Sequence, residues 1–126
     1  MKALQAQIYA ILSAVHPRVY LERAPQEGTF PYVVYNLPSS SMGADHREDF
    51  ILEVDVWDRP EDGSTLAMQQ IADAIDAALD GLVVRAGDNW VARVYRIGRF
   101  MLPDPDLEIR RRQLRYEIRT YRAGEI

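Results

Sequence analysis

The sequence predicts an α+β fold, a mostly antiparallel sheet of four to five strands with two helices packed on one face. Three observations predict it. Two stretches repeat apolar residues at helical spacing, and others alternate apolar and polar residues as half-buried strands do. Their order along the chain is helix, strand pair, helix, strand pair. The length of 126 residues suits one domain over residues 1–126, and no internal repeat or linker divides it. With 48% apolar and 27% charged residues, the composition is that of a globular chain.

The first helix is expected from about Lys2 to Val15, where Leu4, Ile8, Ile11, Leu12 and Val15 share one face. Pro17 ends it, because the residue before a proline is pushed out of the helical region. A short extended piece, Arg18 to Leu21, follows. Glu22 to Thr29, with Pro25 and Gly28, reads as loop. Tyr32 to Leu37 is a β-branched and aromatic strand between Pro31 and Pro38. Pro38 to Arg47, with three serines and Gly43, reads as a connection longer than ordinary hairpin loops. Glu48 to Asp58 sets Phe50, Leu52, Val54 and Val56 against Glu53 and Asp55, a strand with one buried face.

In the second helix Leu66, Ile71, Ala74, Ile75, Ala78 and Leu79 are expected to line the buried face, with Asp73, Asp76 and Asp80 outside it. Asp62 or Ser64 is the expected cap, and Gly81 the stop. Two long strands close the chain. Asn89 to Leu102 carries Arg93, Arg96 and Arg99 three apart, and Pro103 to Pro105 breaks it. Ile109 to Tyr121 sets Leu114, Tyr116 and Ile118 against Arg115, Glu117 and Arg119.

The absence of cysteine excludes disulfides and cysteine-ligated metal centres. The polar interruptions Gln5, Gln7 and Ser13 disqualify the first residues as a secretory leader, and no run is long enough to span a bilayer. The expectation is a soluble chain made in the cytoplasm, with no membrane partner. A net charge of −4 argues against general nucleic-acid binding. The charge is unevenly spread. From Val91 onward nine arginines face five carboxylates, whereas up to Trp90 six basic residues face fourteen. Such a split suits head-to-tail attraction between copies, or simply a solvated arginine-rich strand.

Little equipment for catalysis is visible, and no catalytic residue, metal ligand or cofactor is expected. His16, at a helix end before Pro17, reads as a solvated structural residue. His46 lies among Asp45, Arg47, Glu48 and Asp49, but neighbours on a strand point to opposite faces, which favours a charged rim over a metal or base site. The acids Asp55, Asp58, Glu61 and Asp62 could share a proton or a metal if they met in a pocket, but Asp58 to Asp62 is a turn leading into a helix and reads as capping. Gly63-Ser64-Thr65 lacks the lysine of a phosphate loop, and no serine sits in a nucleophile elbow.

The triplet Arg110-Arg111-Arg112 is distinctive. On a strand Arg111, Arg115 and Arg119 share one face, while Arg110 and Arg112 share the other. That ladder suits three partners: Glu53 and Asp55 on a neighbouring strand, acids of another subunit, or phosphate. An adaptor module, binding nucleic acid or a protein through this strand, is therefore one reading of the chain.

Several phrases resemble the phage tail-completion protein family, related in fold to tail terminators and tail-to-head joining proteins of long-tailed phages. They are Phe30-Pro31-Tyr32-Val33-Val34-Tyr35, Leu52-Glu53-Val54-Asp55-Val56-Trp57, Ile71-Ala72-Asp73-Ala74-Ile75-Asp76-Ala77-Ala78-Leu79 and Asp104-Pro105-Asp106. Their order spans nearly the whole chain. The resemblance implies a structural virion protein, not an enzyme, made in the host cytoplasm. It implies a ring of six copies at the head-proximal end of a phage or phage-like tail, of infectious-phage, prophage or gene-transfer-particle origin, ending tube growth and meeting the tail tube protein and a head connector or stopper protein. The expected interface has two parts: Ser39, Ser40, Ser41, Met42, Asp45, His46 and Arg47 near the first hairpin's end, and Arg110, Arg111, Arg112, Arg115 and Arg119 on the last strand.

Overall fold

The computed structural model describes residues 2–26, 28–42, 48–87 and 89–122. Helix α1 (Lys2–Val15) is followed by strands β1 (Val19–Leu21), β2 (Tyr32–Met42) and β3 (Glu48–Asp58). Helix α2 (Leu66–Leu79) precedes β4 (Val83–Gly87), β5 (Trp90–Leu102) and β6 (Arg110–Arg122). The strands form one six-stranded sheet in the order β1-β2-β3-β6-β5-β4. Every pairing is antiparallel except β1 with β2, which is parallel. The α+β class and antiparallel character agree with the sequence reading. The count exceeds four to five because two short strands flank the four long ones.

One face of the sheet holds the core. Leu4, Ile8 and Leu12 of α1 and Met68, Ile75 and Leu79 of α2 are fully buried, together with Val33, Leu52, Val54, Val56, Val94, Leu114, Tyr116 and Ile118 from the strands. Both helices thus cover the same face, as the alternation of β3 and β6 requires. Leaving this apolar surface in water would cost roughly 1.5–3 kcal/mol for each large side chain.

Three expectations need correction. The stretch from Pro38 is not all loop: β2 continues to Met42, pairing Ser39, Ser40 and Ser41 with Ile51, Phe50 and Asp49. A register shift between Asn36 and Ser39 absorbs Pro38, which has no N–H to give a regular ladder. Asp45, His46 and Arg47 lie outside the described residues.

The buried stripe of α2 is Met68, Ala72, Ile75, Asp76 and Leu79, while Leu66 is exposed. Asp76 therefore lies inside the apolar face, held by polar partners described below. The N-cap of α2 is Thr65, whose side chain makes no capping bond to the backbone. Ser64 Oγ instead accepts from the Leu66 N–H at 3.3 Å, and Asp62 accepts from the Ser64 N–H at 2.9 Å. Gly81 ends the helix region as expected, at φ +77°, where a side chain would be strained.

Candidate functional site

The face of the sheet opposite the helices is uncovered among the described residues, and the arginine ladder stands there. Arg111 Nε donates to Asp55 at 3.2 Å, Arg115 to Glu53 at 3.1 Å, and Arg119 to Glu117 at 3.0 Å. The register causes this: Glu53 stands directly across from Arg115, and Asp55 across from Gln113, one step from Arg111. Gln113 also donates to Asp55, at 3.2 Å, so this buried carboxylate has two partners.

Aromatic rings interleave with these charges. The Arg111 guanidinium lies 4.6 Å from the centre of the Trp57 ring, and Arg115 lies 5.1 Å from Phe100. Arg93 and Arg119 both approach Tyr95, at 5.5 and 5.4 Å. Toward β2 the chain of rings continues from Trp57 to Tyr32 and on to Phe30. The Tyr95 hydroxyl sits 2.9 Å from that of Tyr121, and this bond raises the Tyr95 pKa. Guanidinium groups over ring faces combine with carboxylates to make a surface rich in the residue types that anchor protein contacts. Each of the three ladder arginines already has a carboxylate partner, so little positive charge is left over for phosphate.

The other two members of the triplet point toward the helix side. Arg110 donates to the Leu107 carbonyl, and Arg112 stands opposite Val56 and Met101. They line a cleft of ≈ 270 Å³ with Met101, Pro103 and Leu107. Around the turn, Asp104 and Asp106 accept backbone N–H bonds two residues on, which folds the Asp104-Pro105-Asp106 phrase. Arg59 reaches Glu108 at 2.5 Å and so ties the end of β3 to this turn.

A break in the alternation of β5 brings two further arginines together. A regular strand would put Arg96 and Arg99 on opposite faces, but a bulge between Arg96 and Gly98 puts both on the helix side. There Arg96 meets Asp76 at 2.6 Å and Arg99 meets Asp73 at 2.7 Å. The Tyr116 hydroxyl donates to the other Asp76 oxygen at 2.8 Å. Burial, then that bond to Asp76, pushes the Tyr116 pKa far above its ordinary value. Partners twenty and forty residues away explain an acid in the buried stripe, so no local signal reveals it.

His16 is buried rather than solvated, with Nε2 3.0 Å from the Pro31 carbonyl oxygen. Arg18 donates to the Thr29 and Pro31 carbonyls, both at 3.0 Å, so the two side chains hold the approach to β2. Of the acids before α2, Asp58 is buried and accepts from the Arg59 N–H at 2.8 Å. Among the described residues no cluster of three or more His, Asp or Glu side chains is arranged to hold a metal ion. None of the described helices is long and apolar enough to cross a membrane.

Fold and surface together define an α+β contact protein, its chemistry spread over a sheet as rings, guanidinium groups and carboxylates. The fold is similar to that of a chain in the solved structure titled "Virion of native gene transfer agent (GTA) particle", with a TM-score of 0.68, 17% identity and 93% of each chain covered. The family model for tail completion protein gp17 matches residues 2–121, and the chain belongs to that family. It is a structural protein of the virion tail. No curated protein matches it by sequence.

Proposed function

We propose that this chain assembles as a ring of its own copies, six in number, at the head-proximal end of a phage or phage-like tail. There it ends tube growth and offers the surface to which the head joins. Its neighbours are then the tail tube protein below and a head connector or stopper protein above. The family match over residues 2–121 is the observation that carries this reading. The charge split supports it, because an acidic body and an arginine-rich last strand favour contacts between unlike patches of successive copies.

In this reading the end of the first hairpin, Ser39 to Met42 with Asp45, His46 and Arg47, contacts a neighbour or the tube. The last strand contributes through Arg110 and Arg112 near the turn, and through the ring-covered face of Arg111, Arg115 and Arg119. A nucleic-acid adaptor has less support, since those three guanidinium groups are matched by Asp55, Glu53 and Glu117.

The test is removal of the gene from a particle-producing strain, with electron microscopy of the products. Overlong tubes and tailless heads are expected, and native mass measurement of the purified chain with tail tubes should find closed rings. Normal-length tails joined to heads in the deletion strain would refute the reading.

A further inference from the structure

The sheet is left open at both sides, in a complementary way. On one side β1 covers only Val33–Tyr35 of β2, and the strand then runs on to Met42 with no outer neighbour among the described residues. On the other side β4 covers β5 only as far as Arg93, with Val94 bonded to Gly81 and Leu82, and β5 then runs to Leu102 with no outer neighbour among the described residues. Two free stretches of nearly equal length result, 36–42 and 95–102.

A free edge is a row of unused N–H and C=O groups that invites another strand. The β5 edge carries a bulge and two arginines, but both guanidinium groups are tied back to α2, and the stretch still exposes apolar side chains: Ile97 is 49% exposed, Met101 74% and Phe100 39%. The β2 edge offers three small serines that allow close approach, beside Pro38.

Strand direction decides how they can meet. The four long strands alternate in direction through β2, β3, β6 and β5. A second copy in the same orientation therefore brings its β2 antiparallel to β5 of the first. Height also fits. The free part of β2 lies across β3 at the level of β6 from Arg115 upward, whereas the free part of β5 lies opposite Arg111–Glu117. Matching them needs a stagger of about three residues, roughly 10 Å at the rise of a strand. Tilted strands supply such a stagger whenever a sheet closes on itself. The short strands β1 and β4 cap opposite ends of the two edges, so they do not collide.

We propose that β5, over residues 95–102, pairs antiparallel with β2, over residues 36–42, of the next copy, so that one sheet runs through the seam between subunits. This rests on the ring reading above and specifies its contact. Val94 turns its N–H and C=O away from β6, and with the bulge counted, the alternation places Arg99 and Met101 the same way. Met101 therefore supplies an outward N–H to the seam.

The natural chain has no cysteine, so engineered ones report cleanly. Ser40→Cys protein is mixed with Met101→Cys or Ile97→Cys protein, with tail tubes present, and treated with a short bismaleimide. Cross-links between the unlike variants are expected, and the Ser40→Cys/Met101→Cys chain should link into a ladder that ends at the closed ring. Met101→Pro should weaken self-association about tenfold or more while leaving circular dichroism and melting unchanged. Rings that form but link only Met101→Cys to itself, or not at all, would overturn the seam and leave the ring reading standing. A chain that stays monomeric with tubes present would sink the ring reading and the seam with it.

Discussion

The two faces of the sheet are built from the same strands by alternate residues, yet they are held by different physics. On the helix side, β3 and β6 contribute Leu52, Val54, Leu114 and Ile118, all fully buried. On the other side the same strands contribute Glu53, Asp55, Arg111 and Arg115, paired to one another and capped by rings. The first face gains its stability by leaving water. The second buries the Asp55 carboxylate but keeps its guanidinium groups at the surface, where pairing contributes little to stability and much to what can bind. One sheet can thus assign stability and surface chemistry to opposite faces.

That contrast is tested most severely in the core. Leu52→Ala should cost about 2–5 kcal/mol in denaturant unfolding, because it removes a fully buried side chain and leaves a cavity. A loss below 1 kcal/mol, at the weak end of surface effects, would erase the distinction.

Next in size is the polar contact inside the apolar face. Tyr116→Phe should cost about 1–3 kcal/mol by stripping a donor from buried Asp76. It should also change the alkaline behaviour. The folded-state pKa of Tyr116 is raised, so its contribution is complete below the ordinary value of 10.0 and is lost as pH rises beyond it. Melting temperatures should therefore fall more steeply above about pH 10 in the natural chain than in Tyr116→Phe. Parallel curves would show that the hydroxyl is not so held.

The open face should answer more weakly, and unevenly. Arg111→Ala leaves a buried carboxylate with Gln113 alone and should cost about 1–2 kcal/mol. Arg119→Ala, half exposed beside Glu117, should cost less than Arg111→Ala, and less again in salt. Equal losses at the two positions would mean that burial of the acid does not matter.

Much of this was legible from local pattern. Helix α1 and strand β3 follow unbroken periods, and both appear with the expected bounds. The partners of Arg111 and Arg115 were legible only as one of three alternatives, because alternation places Glu53, Asp55, Arg111 and Arg115 on one face once β3 and β6 adjoin. The misses have a common cause in tertiary contact. The second half of β2 looks like a loop because Pro38 and three serines have poor strand propensity, but β3 pairs with it across a bulge. Strand β4 is too short to show a period, and it is tied down by its pairing with β5. The bulge at Arg96 puts Arg99 on the side that regular alternation would deny it, since one extra residue shifts all that follow.

The carboxylate of Asp76 has one further consequence, concerning rotation. Apolar residues cover so much of the circumference of α2 that two stripes could serve as its inner side: Leu66, Ile71, Ala74, Ile75, Ala78 and Leu79, or Met68, Ala72, Ile75 and Leu79. Hydrophobicity alone barely separates these two rolls about the helix axis. Only one of them brings Asp76 under both the Tyr116 hydroxyl and the Arg96 guanidinium. The acid thus works as an index mark that selects a single angular setting, and the exposed Leu66 is what that selection leaves outside.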